Sequence, residues 1–300
     1  MIKQKVILFL KGFCMGIADL IPGVSGGTIA FLVGIYEELI ASVASFDGRF
    51  AGHLFRGKIK EAFAGTGWQF LAVLLAGILT AIFSLSKLLT WLLTHRTVYV
   101  HAFFFGLIVA TVFVIAKKVE KKDFVKTTVF LISACAMFFL VGMIPVKTPD
   151  AWWFLMISGG VAICAMILPG ISGAFILLLL GKYEHIIAAV SERHFDILIF
   201  VAFGCLFGLI AFVRLLRWLL AHYYDLTLSV LAGLVLGSLR KIWPWKETLS
   251  MMVTPKGKVI PLEQINIFPQ AFSPEVLWVI ILIVAGVILS LGLAVLDEKN

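Results

Sequence analysis

The chain has 300 residues, 61% of them hydrophobic and 14% charged, with a mean hydropathy of +1.07, whereas soluble domains run closer to roughly half apolar and a quarter charged. This composition excludes a soluble enzyme, a nucleic-acid module and a disordered scaffold, and apolar runs of ~18 residues or more have the length that crosses a hydrocarbon core as helices. The net charge of +8 does not point to nucleic acid either, because the basic residues cluster in short loops between apolar runs, where they report topology and meet lipid headgroups.

Read in chain order, the N-terminal MIKQKVILFL precedes Gly16, Asp19 and Pro22, which interrupt any leader-like run, and no small-residue cleavage site follows; the segment reads as mature protein. Residues 12–43 are apolar but broken by PGVSG from Pro22, which cannot continue a helix through itself, and are expected to form a re-entrant hairpin. Three crossings are expected next, at about residues 68–86, 98–116 and 127–144. A second apolar region, 151–190, is broken by PGISG from Pro169 and is expected to be a second re-entrant hairpin, followed by crossings at about 197–218, 226–239 and 274–296. Between the last two lies a long loop, 240–273, where Trp243, Pro244 and Trp245 suggest an interfacial segment on the outer face. Cys14, Cys135, Cys164 and Cys205 all sit inside apolar stretches without metal-ligand or disulfide spacing, so reduced structural thiols are expected and no metal or cofactor.

The loops orient the chain. Lys3, Lys5 and Lys11, then Arg49, Arg56, Lys58 and Lys60, then Lys117, Lys118, Lys121, Lys122 and Lys126, with Arg214, Arg217 and Lys299, place fifteen of the 25 basic residues on one side. That side is cytoplasmic by the positive-inside bias, and both termini share it.

The chain repeats itself. Residues 22–40 (PGVSGGTIAFLVGIYEELI) align with 169–187 (PGISGAFILLLLGKYEHII) at ten of nineteen positions, where chance gives about one or two. A second anchor, at a shift of 127, lays 87–95 (KLLTWLLTH) on 214–222 (RLLRWLLAH) and brings Gly77 and Gly106 onto Gly204 and Gly233. One hairpin plus three crossings per half is an odd number of passages, so the second half enters the membrane reversed. The expected fold is therefore an all-α integral membrane protein made of an inverted repeat, residues 1–147 and 148–300, each a re-entrant broken helical hairpin plus three transmembrane helices. Inverted repeats with discontinuous helices are the architecture of many secondary transporters, whose sites lie between the repeats near the midplane.

At each break the proline ends one half-helix and the glycines let another group approach the backbone. The exposed amides and the positive end of the next helix suit an anion. Pro22, Gly23, Ser25, Gly26, Gly27 and Thr28, with Pro169, Gly170, Ser172 and Gly173, therefore read as two phosphate or carboxylate cradles; the alternative is that these small residues only permit close helix packing. Lys87 and Arg214 are equivalent in the repeat and either snorkel to an interface or guard the two mouths of one cavity. Asp19 is costly in an apolar run and is replaced by Met166 in the second copy. Glu37 and Glu184 follow a tyrosine in both copies and are coupling or gating candidates with Asp19, or plain surface charges ending a hairpin helix. His95 and His222 recur beside tryptophans and read as polar tips.

Residues 15–39 (MGIADLIPGVSGGTIAFLVGIYEEL) and 168–184 (LPGISGAFILLLLGKYE) resemble the paired signatures of the PopT family, and the resemblance covers essentially the whole chain. That resemblance implies a multi-pass bacterial inner-membrane protein which translocates polyprenyl (undecaprenyl) phosphate from the outer to the cytoplasmic leaflet, recycling the lipid carrier for envelope and peptidoglycan synthesis. It implies the site named above, with Ala174 where the first copy has Gly27. The partners would be the polyprenyl-phosphate lipid and membrane lipids, not nucleic acid; a homo-oligomer stays open. A small-anion transporter or channel could use the same helix ends. An integral lipid-phosphate phosphatase is disfavoured, because Arg217, His222 and Asp225 have no matching partner motif. The orientation is testable: cysteines placed in 3–11, 49–60 and 117–126 should label from the cytoplasmic side and those in 240–273 from outside, and labelling of 117–126 only from outside would overturn the inverted arrangement.

Overall fold

The computed structural model describes residues 2–121, 123–253, 259–269 and 271–298, except the side chains of 252–262 and 296–298. Lys122 and Lys299, counted above among the cytoplasmic basic residues, lie outside the described residues. In chain order the helices of the first half are α1 (Ile2–Asp19), α2 (Gly26–Leu32), α3 (Tyr36–Ala44), α4 (Gly48–Phe55), α5 (Ile59–Ala64), α6 (Trp68–His95), α7 (Thr97–Lys117) and α8 (Phe124–Leu140). The second half contains α9 (Trp152–Ile167), α10 (Gly173–Leu179), α11 (Tyr183–Glu192), α12 (Phe195–His222) and α13 (Tyr224–Ser238), then a short 3-10 turn (Leu239–Ile242), strands β1 (Lys246–Val253) and β2 (Val259–Asn266), and α14 (Pro274–Glu298).

Both breaks fall where proline and glycine forbid a helix, with Gly23 at φ 91° and Gly170 at φ 85° in the left-handed region. Each is followed by a second bend that the expected hairpins did not include. Gly34 (φ 72°) turns α2 into α3 by 118°, and Gly181 (φ 63°) turns α10 into α11 by 108°. The regions 12–43 and 151–190 are thus three helices with two interruptions each, and the first helix begins at Ile2 rather than at residue 12. A glycine inside an apolar run signals either close packing or a turn; here it supplies the turn, since its backbone adopts that φ at little cost.

This is a multi-pass membrane protein: α6, α7, α12 and the apolar part of α14 are long and apolar enough to cross a membrane, and counting each bent pair as one span brings the number to six. Two of the expected crossings are short helices, α8 at 17 residues and α13 at 15, against the ~20 that span a bilayer. The loop between α13 and α14 departs locally from the otherwise helical fold. It folds into an antiparallel hairpin with Lys246 opposite Asn266 and a bulge near Ser250. Trp243 fastens this hairpin: its Nε1 donates to the Ile267 carbonyl at 2.8 Å, and its ring packs edge-on against Phe105, Trp245 and Phe268. The four cysteines are unpaired.

The helices pair closely, α1 with α6 and α9 with α12 within the halves, α7 with α14 and α8 with α13 across them. Glycine makes each approach possible. A Cβ on Gly77 would fall on the Phe9 carbonyl oxygen, on Gly204 upon that of Met156, on Gly106 upon that of Ile283, and on Gly233 upon that of Phe130. The four glycines aligned by the 127-residue shift thus play the same part in all four helix pairs. Around them, α2 is wholly buried and packs with Ile108 and Ile115 of α7 and Leu228, Leu231 and Val235 of α13 into one core, while α6 and α12 present exposed apolar side chains such as Phe83 and Phe207 to the lipid.

Gly77→Ala and Gly204→Ala should each lower the unfolding free energy in detergent by about 1–3 kcal/mol through overpacking. Gly52→Ala, whose Cβ would meet nothing within 4 Å, should be neutral or slightly stabilising in the same denaturation measurement.

Candidate functional site

At the first break the chain satisfies its own helix end. Asp19, the last residue of α1, accepts from the Gly26 amide through Oδ1 at 2.8 Å; Ser25 Oγ accepts from the Gly27 amide at 3.2 Å, and the Ser25 carbonyl from the Thr28 amide at 2.9 Å. Gly26 is required there, because a Cβ would stand 2.8 Å from both carboxylate oxygens. The carboxylate is thus the anion at the positive end of α2. The second break differs. Met166 stands where Asp19 would be, the Ser172 hydroxyl makes no cap hydrogen bond, and among the described residues nothing accepts from the amides of Gly173, Ala174 and Phe175. The two breaks thus differ in that the first has its helix-end amides satisfied by side chains of its own segment and the second does not.

The two breaks meet although 142 residues separate them. Thr28, fully buried, accepts from the Gly170 amide through Oγ1 at 2.8 Å. The Tyr36 hydroxyl donates to the Ile167 carbonyl at 3.3 Å and Ser25 Oγ to the Leu168 carbonyl at 3.4 Å. A Cβ on Gly27 would lie 2.9 Å from the Ile167 carbonyl oxygen, and one on Gly173 2.7 Å from that of Ala162, so these glycines do serve packing. Pro169 is buried beside this contact, while Pro22 is exposed.

The end of α13 and the turn after it close the third side. A Cβ on Gly170 would stand 2.9 Å from Ser238 Oγ, and one on Gly23 2.8 Å from Lys241 Cγ. From there the Lys241 side chain carries its Nζ over the Phe175 ring of α10, at 4.7 Å from the centroid. Lys241 therefore touches both breaks, and the reading of the sequence passed over it. The signal was its position directly after a crossing, in an Arg-Lys-Ile-Trp-Pro-Trp-Lys run; it has no basic counterpart in the repeat, where the 127-residue shift gives Val114.

Lys87 and Arg214 are not brought to the breaks. Both are exposed, and Lys87 lies eight residues before the end of α6 rather than near it. Arg214 lines a cavity of about 590 Å3 with Asp47, Phe50, Leu71 and Leu209, between α12 and the start of α4. The two glutamates also part company. Glu37 accepts from the Tyr224 hydroxyl at 2.7 Å, tying α3 to α13, whereas Glu184 Oε1 is buried without a hydrogen-bond partner. Beside Glu184, Lys182 fills the second bend at 1% exposure and donates to Asp150 Oδ1 at 2.5 Å and to the Thr148 carbonyl at 2.8 Å. His95 and His222 stack on Trp91 and Trp218 one turn earlier, each ring Nδ1 near 3 Å from that tryptophan's carbonyl oxygen (3.0 and 2.9 Å), as polar tips do. Among the described residues no group of three His, Cys, Asp or Glu could hold a metal ion.

The contact between the breaks is testable by itself. Thr28→Val removes the acceptor of a buried amide and should destabilise the protein by about 1–3 kcal/mol, with Thr28→Ser close to wild type, both read by denaturation in detergent.

The chain was compared with known proteins. A family model described as undecaprenyl phosphate translocase-like matches residues 15–260. A polyprenyl-phosphate transporter of Vibrio cholerae is 41% identical over 297 residues, 97% of this chain and 96% of that protein. A polyprenyl-phosphate transporter of Staphylococcus aureus is 34% identical over 266 residues, covering 83% and 89%. No solved structure is significantly similar. With most of its length matched by that model, and near-complete coverage of a relative well above 30% identity, the chain belongs to the undecaprenyl phosphate translocase-like family.

Proposed function

We propose that this protein translocates a polyprenyl phosphate from the outer to the cytoplasmic leaflet of a bacterial inner membrane, returning the lipid carrier for reuse, by exposing one central site alternately to each side. The observation that carries the reading is the meeting of the two broken segments, one from each half, through Thr28 and Gly170. Relatives of nearly the same length are named for polyprenyl-phosphate transport, which supplies the substrate class.

In this reading the halves are inverted repeats with both termini cytoplasmic, and the phosphate binds where Ser25, Gly27, Thr28, Gly170, Ser172 and Gly173 converge. Tilting one half against the other opens one mouth and closes the other. The second break contributes the uncommitted Ser172 hydroxyl; Asp19 holds the first break shut, so that the two copies play unequal parts. The prenyl tail stays outside, along grooves such as the one of about 590 Å3 lined by Trp91, Tyr99, Phe103, Phe104, Trp278 and Leu282 between α6, α7 and α14. A phosphate monoester brings nearly two negative charges at neutral pH. A diphosphate or a glycan adds charge and bulk that a small site between the breaks rejects.

Reconstituted vesicles with a leaflet-specific probe test this. Polyprenyl monophosphate should cross faster with the protein than without it, and diphosphate-linked glycolipid should not. Equal flipping of both, no acceleration of either, or movement of a small free anion in place of the lipid would overturn the proposal, the last in favour of an anion transporter or channel.

A further inference from the structure

The 3-10 turn after α13 and the strand that follows it bring three cations together, one of them against the breaks. Lys241 lies against Gly23 and Phe175, Lys246 Nζ donates to the Lys241 carbonyl, and the Arg240 guanidinium sits 4.5 Å from the Phe138 ring centroid and donates to the Phe138 carbonyl at 3.0 Å. Arg240, Lys241 and Lys246, with Glu263, Gln264 and Asn266, line a polar cavity of about 50 Å3. One water needs about 10–15 Å3, so the space suits a few oxygen-sized atoms, which is the size of a phosphate group.

No carboxylate answers these charges: among the described residues none of the three forms an ion pair, Glu263 included. Two other lysines with little exposure do have acidic partners. Lys126 bonds to Asp225 at 3.0 Å and lies near Asp123, and buried Lys182 bonds to Asp150. Lys241 and Lys246 are half-buried, and ammonium groups largely withdrawn from water are ordinarily matched by an acid. Instead, burial and the neighbouring Lys241 push Lys246 down to about 7, and burial with Arg240 pushes Lys241 down as well. His101 of α7 lies within reach of both lysines' charges; it is 9% exposed, and its Nδ1 has no hydrogen-bond partner. The cluster belongs to one side of the repeat alone, since the 127-residue shift places Val114 and Val119 where the second half has Lys241 and Lys246.

We propose that Lys241 and Lys246, flanked by Arg240 and His101, form a binding site for the phosphate monoester of a prenyl lipid at the mouth leading to the two breaks. The proposal rests on the transport reading above and adds to it the place where the headgroup is first held. The β-hairpin thereby gains a role, since β1 carries Lys246 back over the end of α13, and an arriving phosphate supplies the countercharge the fold withholds. Lys241, in contact with Gly23 and Phe175, passes the headgroup from this mouth to the breaks.

Binding of farnesyl phosphate, farnesol and inorganic phosphate to the whole detergent-purified protein tests the site. Lys241→Gln and Lys246→Gln should each weaken farnesyl phosphate binding about tenfold or more, as loss of a charged hydrogen-bond donor does. Lys→Arg at either position should restore most of it, and farnesol should bind all forms alike. On the unaltered protein, acylation of Lys246 by an amine-directed reagent should be slowed by farnesyl phosphate and not by farnesol, a readout independent of how well any variant folds. Gln variants that bind like wild type, or Lys246 acylation unaffected by saturating farnesyl phosphate, would overturn the site while leaving transport intact. Inorganic phosphate binding as tightly as farnesyl phosphate would overturn the assignment to a lipid. A wild-type protein that neither binds nor flips prenyl phosphate would instead bring down the transport reading itself.

Discussion

A polar backbone group in hydrocarbon must find a partner, and the structure around the breaks is organised by that requirement. Proline and glycine interrupt α1 and α9, freeing amides and carbonyls that no lipid can satisfy. The first break is answered by Asp19 and Ser25, and the second in part by Thr28, which reaches across from the other half to the Gly170 amide. The Ile167 and Leu168 carbonyls, left free where α9 ends, receive the Tyr36 and Ser25 hydroxyls. The mutual repair of two broken helices thus fixes how the two halves meet.

A related constraint governs the long helices. With little hydrophobic drive between helices in lipid, association depends on close packing, and close packing needs small residues at the contact. Gly77, Gly106, Gly204 and Gly233 stand at the contacts of α6 with α1, α7 with α14, α12 with α9 and α13 with α8. Because α7 pairs with α14 and α8 with α13, each half lends a helix to the other. Relative movement of the halves would therefore have to carry these exchanged pairs along with it.

The two repeated stretches differ at several positions where only one copy carries a charge. Asp19 faces Met166 across the repeat, Lys182 replaces Ile35 at the second bend, and Lys241 has Val114 as its counterpart. Each of these differences puts a charge in one copy and an apolar side chain in the other.

The sequence by itself determined where the helices cannot continue, which glycines are equivalent and that the chain is doubled, because these follow from local chemistry: proline has no amide to donate, glycine alone adopts the left-handed region freely, and apolar runs of fixed length answer to a fixed bilayer. Ser25, Thr28, Gly170 and Ser172 were legible for that reason. The bends at Gly34 and Gly181 were not, since a glycine in an apolar helix signals packing as readily as turning, and only the surrounding core chose between them. Nor could local pattern show that Asp19 caps the α2 end, that Lys87 and Arg214 stay away from the breaks, that 246–266 pairs as strands, or that Lys241 lies against Gly23, more than two hundred residues earlier. Those outcomes were decided by tertiary structure, because each depends on which distant segment comes to occupy the space beside a group, and burial, not spacing along the chain, then sets what that group must bind.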